Sequence, residues 1–319
     1  MNIIVMVRLN RTKNKRRRTI KSYSKRINRK KHSMKGGSTD SPQNIDNVAL
    51  LIPVHPKHYK LVYNILNTLK NNNIQIDVHL IFSNRSEYDI FEMKDLIKEI
   101  IAENVPNDDT VIEYKKFYGL NHMINTQYDY IILCDSESDI IPENFTKDNI
   151  TAKIEGKFNK KKLYGIAFTT HSYTGMIKQI MGACANVFKG DEYTKIESST
   201  KNLTLYTFYY DIPVYKRDHI RNFLDKVNYN TLKLTWFHFD YLIYDYYLIV
   251  SQGFEIVDVT QIASDNDVNG MYVETSENFD KLKELGFGFG IAGSKFWKLM
   301  RDRLMGEKTF LIVNTDRPS

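Results

Sequence analysis

The segment YDYIILCDSESD (128–139) ends an apolar run with Asp135, Glu137 and Asp139 at alternate positions. In an extended chain that spacing sends all three carboxylates to one side. Two carboxylates in a site with little water repel each other, and one is pushed toward its neutral form unless a cation stands between them. A hard divalent ion, Mg²⁺ or Mn²⁺, supplies that charge and keeps positions open for phosphate oxygens. The bland alternative is a solvated acidic loop in which Ser138 or Asp139 caps the next helix. A second candidate is TWFHFDYLIYDYY (235–247), which places Asp240 and Asp245 among aromatic residues. A buried, unpaired carboxylate costs several kcal/mol, so each needs a partner or a task.

Other chemistries find less support. An aspartyl-nucleophile phosphatase wants D-x-D followed by a small Thr or Val, and here Glu137 and SD stand in those places. GFGFGIAGS (286–294) has G-x-G-x-x-G spacing, but a helical pattern rather than a strand precedes it, so it reads as a loop between helices at 276–286 and 294–306. Phosphate loops of the G-K-[ST] type, G-x-S-x-G elbows and H-E-x-x-H are absent from the sequence.

The elements that must position these carboxylates follow a strand–helix rhythm. VALLIPV (48–54), DVHLIFS (77–83), VIEYKKF (111–117) and YDYIILCD (128–135) read as strands. Helices are expected over 57–72, 87–103 and 119–125. Apolar strands alternating with amphipathic helices predict an α/β fold: a mostly parallel, Rossmann-like sheet with helices on both faces. Ligands of such sheets sit at the carboxyl ends of the strands, where Asp135 lies. Later, 163–171 and 254–260 read as strands, and 234–253 as a buried helix closed by Gly253.

Residues 1–39 hold fourteen Lys and Arg and no acid, so a chain of net charge +7 has a body, residues 40–319, of net charge −7. The domain division is a disordered basic arm and linker over 1–43 and a folded unit over 44–319. The arm suits non-specific contact with nucleic acid or anionic surfaces, and its basic clusters also fit a bipartite nuclear-import signal. No apolar run reaches the ~20 residues a membrane span needs. Two cysteines, Cys134 and Cys184, make no disulfide framework, so a reducing, cytoplasmic setting is expected.

VALLIPVHPKH, VHLIFSN, KKFYGLNHMIN and YDYIILCDSESD, in that order, resemble the nucleotide-binding half of GT-A-fold glycosyltransferases. The chain is also similar to uncharacterised glycosyltransferase-like proteins of capsule loci and large DNA viruses, for which a virion or host-cell virus factory would be the location. The resemblance implies a GT-A-like fold and a nucleotide-diphosphate sugar donor. Pro53, Val54 and His55 would hold the base together with Ser83 and Asn84. Lys116, Leu120 and Asn121 would contact nucleoside or donor sugar. Asp135 and Glu137, flanking Ser136 at the donor, would bind Mn²⁺ or Mg²⁺. A third ligand is often His in this fold, and no His follows His238, so that position is unassigned. On the side of a glycan or protein acceptor, Asp240 is the candidate general base, with His238 beside it and Trp236 able to stack on a sugar face; Asp245 is assigned to packing. The implied activity is metal-dependent hexosyl transfer. One rival is a nucleotidyltransferase of related fold, which wants a Gly-rich loop where PVHPKHYK stands. The other is a nucleic-acid-binding protein acting through the tail, which the acidic body disfavours.

Overall fold

The computed structural model describes residues 43–167, 174–205, 213–258 and 312–314. The basic arm, the glycine run and the helices expected at 276–286 and 294–306 lie outside the described residues.

β1 (Gln43–Pro53) leads through a 3₁₀ turn (Pro56–His58) into α1 (Tyr59–Asn71), and β2 (Ile74–Phe82) follows. A short α2 (Arg85–Asp89) and a 3₁₀ turn (Lys94–Leu96) precede β3 (Lys98–Ile101). Next come α3 (Val111–Met123), β4 (Tyr130–Leu133), β5 (Ser138–Ile140), α4 (Lys147–Lys160) and β6 (Lys162–Ala167). After them lie α5 (Thr174–Ala185), α6 (Asp191–Thr200), β7 (Leu203–Thr204), β8 (Val214–Lys216) and α7 (Arg217–Val227). α8 (Asp240–Gln252), β9 (Glu255–Asp258) and β10 (Ile312–Asn314) complete the described chain.

The central sheet has the order β3-β2-β1-β4-β8. The first four strands are parallel and β8 runs antiparallel at the edge. Alternation along the strands divides the core into two layers. Ala49, Leu51, Ile81, Ile131 and Leu133 pack against Phe117, Leu120, Phe223 and Leu242 of α3, α7 and α8. Leu50, Ile52, Val78, Leu80 and Ile132 face Val62, Ile65, Leu66 and Leu69 of α1 and Ile150 of α4. Helices therefore cover both faces of a mostly parallel sheet, as the apolar strands predict.

Three expectations need correcting. The helix over 87–103 is instead α2, a turn and β3, because Lys98–Ile101 pairs with His79–Phe82 and extends the sheet. VIEYKKF is the start of α3 rather than a strand. Positions 113, 116, 117, 120 and 123 share one buried helical face, and the charges on that face mask its period. The helix expected from 234 begins at Asp240. Before it, the His238 Nδ1 accepts the Thr235 backbone N–H at 3.0 Å, a local bond that favours a turn over a helix. Gly253 does close α8, in the left-handed region with φ +70°.

Gly119 sets how near α3 lies to the sheet. A Cβ there would stand 2.3 Å from the Ile81 Cδ1 and 3.2 Å from Leu51. This close approach carries Lys115 and Lys116, one turn earlier, to the carboxyl edge of β1 and β4.

Candidate active site

β4 delivers Asp135 just past its carboxyl end, and α8 presents Asp240 as its first residue, where the helix dipole favours a negative charge. The Lys116 ammonium lies between them, 2.9 Å from Asp135 Oδ1 and 3.2 Å from Asp240 Oδ1. The second contact is ionic without hydrogen-bonding geometry. Tyr215 of β8 donates its hydroxyl to Asp240 Oδ2. Asp240 is 1% exposed and Lys116 5%, so this pair is closed from water, while the Asp135 side chain keeps 25% of its surface. Burial alone would lower the Lys116 pKa, but Asp135, Asp240 and Glu113 outweigh it and raise it. The ammonium is therefore a fixed charge.

Glu113 sits one turn before Lys116 on the same face. Burial pushes its pKa up to about 7; Lys116 opposes the rise, and Asp240 and Asp135 add to it. Its Oε2 is buried with no hydrogen-bond partner among the described residues. Beside this cluster, His58 approaches the acidic loop. Its Nδ1 is 2.9 Å from the Ser136 hydroxyl and 3.3 Å from Glu137 Oε1, and Ser136 donates to Glu137 Oε2 at 3.0 Å.

A second network fixes the ends of β1 and β2. Lys115, fully buried, donates to the Val54 carbonyl at 2.6 Å and lies 3.6 Å from Glu87 Oε2. Burial lowers the Lys115 pKa, with Glu87 opposing. Glu87 also accepts the Ser83 N–H at 2.8 Å, and Asn84 caps α2 by accepting the Glu87 N–H at 3.0 Å. Pro53 and Val54 are buried at the strand end, while His55 is half-buried and accepts the Lys57 N–H at 3.2 Å. Burial lowers its pKa.

The structure thus gathers Lys116, Asp135 and Asp240 on one charge, and Ser136 and Glu137 beside His58. Val54 and Ser83 share the Lys115–Glu87 network. Leu120 is a core residue under the sheet, and Asn121, next along α3, is exposed. Trp236 is 39% exposed and its ring lies tilted 33° against Phe237, centroids 4.1 Å apart, whereas His238 is buried and turned to Thr235. Asp245 pairs with Lys157 at 3.4 Å. Glu113, Lys115, Glu87, His58 and Tyr215 escaped the sequence reading. The readable signal was the i, i+3 spacing of Glu113 and Lys116 in line with Phe117 and Leu120.

Asp135 and Glu137 offer carboxylate oxygens, the donor type a hard divalent ion takes, and both retain solvent-facing surface. Among the described residues no group of three His, Cys, Asp or Glu side chains is arranged to enclose a metal.

These features define the class: an α/β protein with a mostly parallel sheet and a buried acid–ammonium cluster at the strand ends. No family profile and no curated protein matches the chain. Among solved structures it is similar to residues 1–349 of TarS from S. aureus, with 10% identity, 75% of this chain and 64% of that chain covered, and a TM-score of 0.31. It thus spans just under two thirds of that structure's length. It is also similar to the mannosyltransferase Ktr4p from S. cerevisiae, with 10% identity, 75% of this chain and 81% of that chain covered, and a TM-score of 0.32. No helix among the described residues is long and apolar enough to cross a membrane.

Proposed function

We propose that the protein is a GT-A-like glycosyltransferase that moves a sugar from a nucleotide-diphosphate donor to an acceptor hydroxyl. The observation that carries this reading is the convergence of Asp135 and Asp240, from elements far apart in the chain, on the Lys116 ammonium at the carboxyl edge of a parallel sheet. Pro53, Val54, His55, Ser83 and Asn84 form the base side, held by the Lys115–Glu87 pair. Asp135 and Glu137 hold Mn²⁺ or Mg²⁺. Bound there, the ion supplies positive charge to the departing diphosphate. Lys116 orients both carboxylates and adds a fixed positive charge beside them. Asp240 is the base for the acceptor hydroxyl, and because it is closed from water the segment 235–239, which carries Trp236, has to shift to admit the acceptor. Residues 44–319 form the catalytic unit, and the basic arm over 1–43 serves contact with anionic surfaces or nucleic acid.

A hydrolysis screen across nucleotide-sugar donors, with and without Mn²⁺, tests the reading. Release of nucleoside diphosphate from at least one donor, dependent on the ion and lost in Asp135→Asn, is expected. Release of pyrophosphate from nucleoside triphosphate and sugar phosphate would identify a nucleotidyltransferase instead.

A further inference from the structure

A cavity of about 440 Å³ runs along the outer face of α1, within the ~300–1,000 Å³ of small-molecule sites. One wall is a helical stripe of neutral hydrogen-bonding side chains: Asn64, Asn67, Thr68 and Asn71, spaced i, i+3, i+4 and i+7. The opposite wall carries Asp139 and Glu143; the apolar segment 140–142 and Asn72, whose carboxamide donates to the Thr68 carbonyl at 2.8 Å, also line it. The carboxamides of Asn64, Asn67 and Asn71 have no hydrogen-bond partner among the described residues. Asn is a weak helix former, so three on one exposed stripe work against the helix that carries them. Among the described residues the lining has no Lys, Arg or His, although Lys60 and Lys70 belong to the same helix.

This chemistry selects its ligand. Each carboxamide offers a donor pair and an acceptor, which suits adjacent hydroxyls. Two carboxylates and no cation disfavour phosphates and acidic sugars. The cleft is separate from the Lys116 cluster, but the elements that line it begin beside that cluster. His58, which touches Ser136, precedes α1, and at 1.5 Å per residue Asn64 and Asn71 lie roughly 9–20 Å farther along the axis. Asp139 stands two residues beyond Glu137. We infer that this cleft binds a neutral oligosaccharide, the acceptor chain at a distance from its reacting end. The acceptor role rests on the glycosyl-transfer reading; saccharide binding does not.

The full chain, without nucleotide, is titrated with neutral malto-, chito-, manno-, galacto- and xylotriose, with binding followed by saturation-transfer NMR. At least one should bind, and Asn64→Ala/Asn67→Ala/Asn71→Ala should weaken it about tenfold or more. Alanine favours the helix, so the variant should melt no lower than wild type, and weaker binding then reports lost contacts. Failure of all five sugars to bind, or binding unchanged in the variant, overturns the inference. So does calorimetric binding of Ca²⁺ alone that the variant abolishes. Donor hydrolysis by the wild-type preparation separates the two claims: sugar binding without hydrolysis leaves the cleft and removes the transferase reading, and the converse removes only the cleft.

Discussion

Replacing Lys116 by Met keeps most of the side-chain volume and deletes its charge. At an effective dielectric near 20, contacts of 2.9 and 3.2 Å each represent roughly 5–6 kcal/mol of gross attraction, most of it offset by the cost of burying the ions. The variant does not recover that offset, because Asp240 stays 1% exposed with, among the described residues, the Tyr215 hydroxyl as its remaining support. Leaving a buried partner uncompensated costs ~3–5 kcal/mol. For a unit of this size the melting temperature should fall by roughly 6–20 °C. Lys60→Met, an exposed position on α1, should stay within ~0.5 kcal/mol of wild type. Adding Asp240→Asn to Lys116→Met should restore more than half of the loss, since the stranded charge is then gone. Urea unfolding of the four proteins measures all of this. If Lys116→Met unfolds within ~1 kcal/mol of wild type, or the second substitution deepens the loss, Lys116 is not the charge that holds the cluster together.

Glu113 binds a proton more tightly in the folded state, at about 7, than its ordinary value of 4.5. The folded state therefore holds the extra proton between those values, and stability should fall by ~3 kcal/mol as pH rises from 4.5 to 7; Glu113→Gln should flatten that slope in pH-dependent urea titrations. Burial lowers the pKa of His79 to about 4, so acidification from pH 6.5 to 4 should remove ~3 kcal/mol, and His79→Gln should reduce that acid sensitivity. Asp245→Asn should cost ~1.5–3 kcal/mol through its contact with Lys157 yet leave sugar transfer near wild type, measured by melting and by product formation.

The parts of the fold legible in the sequence are those whose burial is purely apolar. β1, β4 and, His79 apart, residues 78–82 of β2 are apolar on both faces because helices cover both, and α1 shows its core stripe at Ile65, Leu66 and Leu69. α3 was not legible because its buried face carries Glu113, Lys115 and Lys116, and the partners of the two lysines lie just past β1 and β4 and on α2 and α8. No local pattern encodes those pairings. The same gap affected the site. The carboxylates at Asp135 and Glu137 call for positive charge, which an ion can supply alongside groups of the chain itself. The structure gives Asp135 an ammonium from within the chain and sets His58 against Glu137. Asp240 and Asp245 were separable in principle only by their partners, Lys116 and Lys157, which are distant in sequence.

The most direct test of the account is calorimetric titration of the full chain with UDP and GDP, with and without Mn²⁺, for wild type, Asp135→Asn and Asp240→Asn, alongside transfer assays. Wild type should bind one nucleotide more tightly with the ion. Asp135→Asn should lose that dependence, whereas Asp240→Asn should keep the affinity and lose ~10²–10⁴-fold in transfer. Ion-dependent affinity that survives unchanged in Asp135→Asn would contradict the account.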